Sequence, residues 1–326
     1  MRPISYRRAE SIEAAIGAGA RPETAFLAGG TSLVDLMKLE VLQPAHVVDI
    51  TRLGLKDIEL STAGLRLQAN ATNAAVAAHA GVRAHYPAIS EALLAGASPQ
   101  LRNVATVAGN LLQRTRCAYY RDLATACNKR TPGAGCSARE GWTRMHAILG
   151  TSEHCIAAHP SDLCVALAAL DATVRVQGPE GARDLPFAQL HLLPGDTPDR
   201  EFALAPGELI TSVFVPASRA AARSRYLKVR DRQEYAFALT SCAAGLDVAD
   251  GRIRQARLAL GGVGTKPWRC LDSERWLAGK PADAQHFNHA AELALQGART
   301  RPDNAFKIEL AKRTLVRALR LSAEST

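Results

Sequence analysis

The sequence predicts an α+β protein of two units, about 1–220 and about 221–326. Three observations carry this reading. A chain of 326 residues is long enough for two ordinary domains. Short apolar runs with strand character alternate with helix-like runs through the first hundred residues and again after 160. A stretch of Ala, Ser and Arg at 216–225 then reads as a connection, beyond which strands precede helices in a fresh start.

The elements follow in order. A short strand is expected over 3–6, and Ser11 is placed to cap a helix over 12–18 with Glu13 in its first turn. An apolar run over 24–28 stops at Gly29-Gly30, a helix follows over 33–39, and a strand resumes over 47–50. The alternation of 65–69 is that of a half-buried strand, and 72–81 and 88–97 read as helices. Residues 111–160 show neither a period of 2 nor one of 3.6. So long an irregular stretch inside a compact domain is expected only where it is functional. Helix returns over 162–171, with strands over 172–177 and 208–216. The second unit is expected to carry strands over 243–248 and 253–260, with helices over 272–278, 282–296 and 304–321 on one face of a small sheet. In the last helix Ile308, Ala311, Leu315 and Leu319 make one apolar face.

Composition excludes several classes. Hydrophobic residues at 47% and charged residues at 22% belong to a globular chain, not a disordered one. No apolar run reaches the roughly 18 residues of a membrane helix. The charged first ten residues lack an apolar h-region, and Arg7-Arg8 is followed by A-E-S-I-E, so no export signal is expected on the chain. The net charge of +9 is spread along the chain and aromatics are only 5%, which argues against nucleic acid as a partner. Neither G-x-S-x-G nor H-E-x-x-H occurs, so hydrolase chemistry is not indicated.

Three short motifs carry candidate chemistry. In Phe26-Leu27-Ala28-Gly29-Gly30-Thr31-Ser32-Leu33 a glycine pair between strand and helix frees successive N–H groups for a phosphate or pyrophosphate, and a tight turn is the plainer alternative. The motif is not G-x-G-x-x-G, so a Rossmann site is not indicated. The small residues 105–109 let backbone lie flat on a large ligand, with Thr106 and Asn110 as polar contacts; the alternative is a glycine-containing turn. In H-P-S-D-L, Ser161 or Asp162 caps the next helix, and Asp162 either serves only as that cap or accepts hydroxyl hydrogens from a ribose or ribityl chain.

These pieces in this order resemble the FAD-binding medium subunit of the xanthine dehydrogenase family of molybdenum hydroxylases. The resemblance rests on A-G-G-T-S-L at 28–33, R-N-V-A-T-V-A-G-N-L at 102–111 and P-S-D-L at 160–163. G-E-L-I at 207–210 and Y-L-K-V-R at 226–230 extend it over nearly the whole chain. It implies a PCMH-type FAD-binding domain of two α/β subdomains, followed by a small α+β domain like the CO dehydrogenase flavoprotein C-terminal domain. It places FAD along 26–33, with Thr106, Gly109 and Asn110 on the flavin or its chain and Asp162 on a hydroxyl. Ile210 and Lys228 match flavin-proximal positions, where a lysine stabilises an anionic reduced flavin.

The segment 111–160 departs from the common pattern of that family. It carries Cys117, Cys127, Cys136 and Cys155 among basic residues, and four thiolates suit a zinc ion or an iron–sulfur cluster. The spacings lack C-x2-C knuckles; unligated thiols are the third alternative. R-T-R-C-A-Y-Y at 114–120, C-N-K-R-T-P-G-A-G-C at 127–136 and H-A-I-L-G at 146–150 resemble the subgroup whose flavin subunit bears a [4Fe-4S] cluster, like the periplasmic aldehyde oxidoreductases. By that resemblance all four cysteines are ligands. The other three, Cys164, Cys242 and Cys270, read as core, and His46, His79, His85, His191, His286 and His289 show no metal spacing. The resemblance further implies a heterotrimer with a molybdopterin-binding large subunit and a [2Fe-2S] small subunit, passing electrons to an external acceptor. Its expected location is the periplasm, reached with a signal-bearing partner, with the cytoplasm as the alternative. The rival readings are a CoA-thioester reductase subunit, a stand-alone flavin oxidoreductase and a zinc-stabilised interaction protein.

Overall fold

The computed structural model describes residues 2–324. The chain opens with β1 (Ser5–Arg8), α1 (Ile12–Gly19), β2 (Thr24–Leu27), α2 (Leu33–Lys38) and β3 (His46–Asp49). The three strands form a parallel sheet in the order β1-β3-β2. Parallel neighbours need a crossover rather than a hairpin, and the alternating helices supply it. The hydroxyl of Ser11 accepts the Ala14 N–H and fixes the start of α1. Ala15 and Ile16 of that helix pack on Val48 and Ile50 in a small core that Leu209 closes from the next layer.

That layer begins with β4 (Ile58–Leu60) and β5 (Gly64–Gln68) and runs through a group of helices: α3 (Asn73–Ala78), α4 (Ala80–His85), α5 (Pro87–Ala95), α6 (Pro99–Val104) and α7 (Val107–Leu111). A short α8 (Ala118–Arg121) and one 3-10 turn (Ser137–Arg139) are the regular structure of the stretch expected to be irregular. Then come α9 (Asp162–Ala169), β6 (Thr173–Gly178), β7 (Gly181–Pro186), α10 (Phe187–Leu190) and β8 (Leu209–Pro216). The five strands pair antiparallel in the order β4-β5-β8-β6-β7. One large core joins this sheet to α3, α5, α7 and α9.

The last part comprises α11 (Arg219–Ala222), β9 (Arg225–Val229), β10 (Thr240–Ala249), β11 (Arg252–Gly261), β12 (Trp268–Arg269), α12 (Leu271–Leu277), α13 (Ala284–Ala294) and α14 (Phe306–Ala323). Its antiparallel sheet runs β12-β11-β10-β9.

Four expectations need correction. The helix over 72–81 breaks at His79, whose backbone is extended while its ring accepts the Val82 N–H and starts α4. The turn expected around 101–111 is two short helices, α6 capped by Ser98 and α7 capped by Thr106. The connection at 216–225 folds as α11, with Ala220 and Ala221 fully buried. The last sheet also has two covered faces. Cys242, Ala244 and Leu246 face α12, α13 and α14, while Ala243 and Ala259 join the core of α5 and α9. A strand buried on both faces loses the alternation that a half-buried strand shows.

The insert is anchored rather than looped out. Ile148 and Leu149 are buried in the core of the last part, and both backbone N–H groups donate to the Val263 carbonyl. Asp303 accepts from the backbone N–H of Thr143, and the Arg299 N–H donates to the Ile148 carbonyl.

Candidate functional site

The separate sequence motifs converge. Gly29 lies so close to the Val104 carbonyl that a Cβ there would overlap it, which joins the loop 26–33 to the end of α6. Gly30 has φ 72°, a conformation that glycine adopts without penalty. Thr106 Oγ1 accepts the Gly109 N–H as the cap of α7. Asn110 Oδ1 accepts from the Ser161 hydroxyl at 2.6 Å, and Ser161 in turn caps α9. Asp162 accepts from Lys228 Nζ at 2.8 Å and from the Tyr226 hydroxyl. Lys228 also donates to the Ala95 carbonyl at 3.1 Å, where Arg230 donates at 2.7 Å. Two cations thus meet the negative C-terminal end of α5.

Asp162 is therefore not the cap of α9, a role Ser161 fills, and Lys228 is no surface residue; both side chains are at least nine-tenths buried. An ion pair this deep holds only because each partner gains further hydrogen bonds. Burial pushes the Tyr226 phenol well above its ordinary range, and the neighbouring Asp162 charge adds to that. Phe26, Leu27, Thr31, Ser32 and Leu33 lie at the end of β2 and the start of α2, half-buried beside the glycine pair. Ile210 is not brought to this group: on β8 Leu209 faces the small core and Ile210 the large one. The alternation of a strand puts adjacent side chains on opposite faces.

An apolar cleft of about 280 Å³ opens beside Ser161 and Asp162, walled by Trp142, Met145, His146 and Phe237 among others. Its apolar lining with a few polar groups has the character of a small-molecule site. The buried Nε2 of His159 lies in its wall without a partner among the described residues. An apolar slot with a carboxylate–lysine pair at one end fits a flavin ring, which is flat and apolar with one polar edge.

All four insert cysteines line a second, much smaller cavity. Cys127 and Cys136 face each other across an isolated antiparallel bridge. The chain between them turns at Gly133 and Gly135, with φ 84° and 93°. Asn128 accepts the Gly135 N–H at 2.8 Å and donates to the His154 carbonyl at 3.1 Å, next to Cys155. The Arg130 guanidinium donates to the carbonyls of Tyr119, Tyr120, Asp122 and Thr125, which fixes the segment that follows Cys117. Asn128 and Arg130 are the residues that sequence reasoning missed. Their signal was adjacency to Cys127, without a spacing rule to read it by.

Burial pushes the Cys117 thiol up to about 12 and raises those of Cys136 and Cys155. All seven cysteines are free thiols. Gathering four such groups, two buried and two half-buried, around one cavity fits a metal centre, which displaces the protons and takes the thiolates. Among the described residues no three of these sulfurs lie within 4.8 Å of one another. The fourth wall carries positive charge: Lys129 Nζ, nine-tenths buried, pairs with Glu201 at 2.8 Å, and Glu201 also meets Arg114.

The structure does bring together one trio expected to be unrelated, His159, Cys164 and His191, with ligand atoms within 4.8 Å of one another. His159 Nδ1 accepts the Ser161 N–H, so its proton sits on Nε2, which leaves no lone pair there for a metal. His191 Nε2 bonds the Leu111 carbonyl at 2.9 Å, and the rings meet edge to face at 4.5 Å. Burial lowers the pKa of both imidazoles, and the trio is a polar seam of the core.

Residues 2–218 match the family described as FAD binding domain in molybdopterin dehydrogenase, and residues 225–321 that described as CO dehydrogenase flavoprotein C-terminal domain. The chain is 48% identical over 325 residues to the aldehyde oxidoreductase FAD-binding subunit PaoB of Escherichia coli K12, covering 98% of each chain. It is 26% identical to the carbon monoxide dehydrogenase medium chain of Afipia carboxidovorans, covering 90% of this chain and 84% of that one. The structure of reconstituted CO dehydrogenase from Oligotropha carboxidovorans superposes with a TM-score of 0.78 at 22% identity, covering 100% and 99% of the two chains, and shares the fold.

Proposed function

Because the chain belongs to the FAD-binding subunits of the molybdenum hydroxylase family, we propose that it is the electron-transferring subunit of an aldehyde oxidoreductase and carries a [4Fe-4S] cluster beside its flavin. One observation carries the reading: Cys117 and Tyr119 line both the sulfur cavity and the apolar cleft, so the two candidate cofactor sites share a wall that includes a cysteine. When bound, the flavin exchanges electrons singly or in pairs, which lets it stand between one-electron carriers and an external acceptor.

The residues of the chain bind and orient. Backbone N–H groups of the Gly29–Gly30 loop would hold the pyrophosphate before α2. The buried Lys228 cation, held by Asp162 and the Ala95 carbonyl, favours added negative charge on the ring edge. Trp142, Met145 and Phe237 exclude water from the ring.

The sulfur geometry favours a cluster over zinc. A tetrahedral zinc ion with Zn–S bonds of ~2.3 Å draws its sulfurs to about 3.8 Å from one another. Sulfurs that stay farther apart suit a cuboidal cluster, in which several metal atoms stand between the ligands. Its partners in this reading are a molybdopterin-binding large subunit, where the aldehyde is oxidised, and a [2Fe-2S] small subunit. The 48% identity to a protein named as an aldehyde oxidoreductase subunit favours aldehydes as the substrate class.

Replacing one ligand tests the relay. In the assembled complex Cys136→Ser is expected to lose the broad visible absorption of the cluster, keep its FAD and slow aldehyde-driven acceptor reduction at least tenfold. Loss of the cluster with FAD and turnover unchanged would overturn the relay.

A further inference from the structure

The wall between the two cavities contains one polar side chain aimed at a ligand sulfur. His146 is buried, with Nε2 3.1 Å from Cys117 Sγ. It lines the apolar cleft together with Cys117, while Cys117 alone of the two also lines the sulfur cavity. The imidazole therefore stands on the flavin side of the sulfur that faces both sites. Its placement is fixed from behind. The fully buried Lys307 donates to the His146 carbonyl at 3.0 Å and to the Gly262 carbonyl at 2.8 Å. The His146 N–H donates to the Thr143 carbonyl at 2.8 Å. The other ring nitrogen, Nδ1, is buried without a partner among the described residues.

A cysteine that holds a metal is a thiolate and can only accept a hydrogen bond. The contact then has one polarity, with Nε2–H donating to sulfur and the lone pair on Nδ1. Such a bond withdraws electron density from the sulfur and stabilises the more negative, reduced state of the centre. We propose that His146 is a positioning residue of the redox chain: its hydrogen bond to the Cys117 sulfur raises the reduction potential of the metal cluster on the side facing the flavin. The inference rests on the cluster reading above and adds a residue that none of the cysteine spacings indicates.

The test uses the assembled complex and reads the cluster's midpoint potential by spectroscopically monitored redox titration, alongside iron and FAD content. His146→Phe fills the same space without a donor and is expected to keep its iron and lower the cluster potential. His146→Gln retains an N–H donor and is expected to restore the potential towards the wild-type value. A potential unmoved in His146→Phe, or a glutamine variant no different from the phenylalanine one, overturns the role of His146. Should the phenylalanine variant lose its iron, the smaller His146→Leu is read by the same criterion. Wild-type protein without iron would instead overturn the cluster reading itself, so the two failures are distinguishable.

Discussion

At the scale of single residues, the site is held by charges placed where they are costly. Lys307 has no exposed surface, and burial, reinforced by the charge of Arg144, lowers its pKa from 10.5 to about 7. Between these values the unfolded chain holds the proton more firmly than the folded one, so stability gained from this group rises with pH from about 7 upward. Lys307→Met removes that dependence along with the two carbonyl contacts. Denaturant melts of both proteins at pH 7, 8 and 9 should show the wild type gaining on the variant by up to about 1.4 kcal/mol per pH unit. A pH-independent difference would show that the buried lysine keeps its proton throughout this range, its pKa not lowered. Lys228 was legible only through its family context, since no periodicity marks a strand lysine as buried. Lys307 escaped reading altogether, because a lysine on an amphipathic helix normally belongs to the solvated face.

At the scale of elements, the sequence spoke most clearly where one physical signal dominated. The caps Ser11 and Ser161 start α1 and α9, and the apolar face of α14 buries Ala311, Leu315 and Leu319. Elements with mixed signals were missed. The strand β7 is an exposed, charged edge whose Arg183 pairs with Glu208 at 2.6 Å, a pattern that reads as loop. The insert has almost no regular structure to read, because side-chain bonds to carbonyls from Asn128 and Arg130 replace a ladder. The loop before α2 is where element geometry bears most directly on ligand binding. Gly29→Ala places a methyl group into the Val104 carbonyl, so the two loops must separate. The variant is expected to lose about 2 kcal/mol or more of stability and most of its FAD. Full flavin occupancy in Gly29→Ala, measured by absorbance against protein, would remove this loop from the site.

At the scale of the whole molecule, the insert explains why the parts stay together. It joins three layers: Arg116 and Arg121 pair with Asp35 of α2 at 3.1 and 2.8 Å, and Ile148 and Leu149 enter the core of the last part. Helix α9 packs both on its own layer and on the C-terminal sheet. The cleft sits between the insert, the start of α9 and the last part of the chain, and a junction of this kind is a common position for cofactor sites. Order along the chain revealed the motifs but not this convergence, since Asn110 meets Ser161 and Asp162 meets Lys228 only through tertiary contacts 51 and 66 residues apart in sequence. A molecule built this way should hold its organic and inorganic groups in fixed proportion. The most direct measurement is metal analysis with flavin quantitation on the native protein: one FAD and about four iron atoms per chain are the predicted result, and one zinc with no flavin would contradict the account.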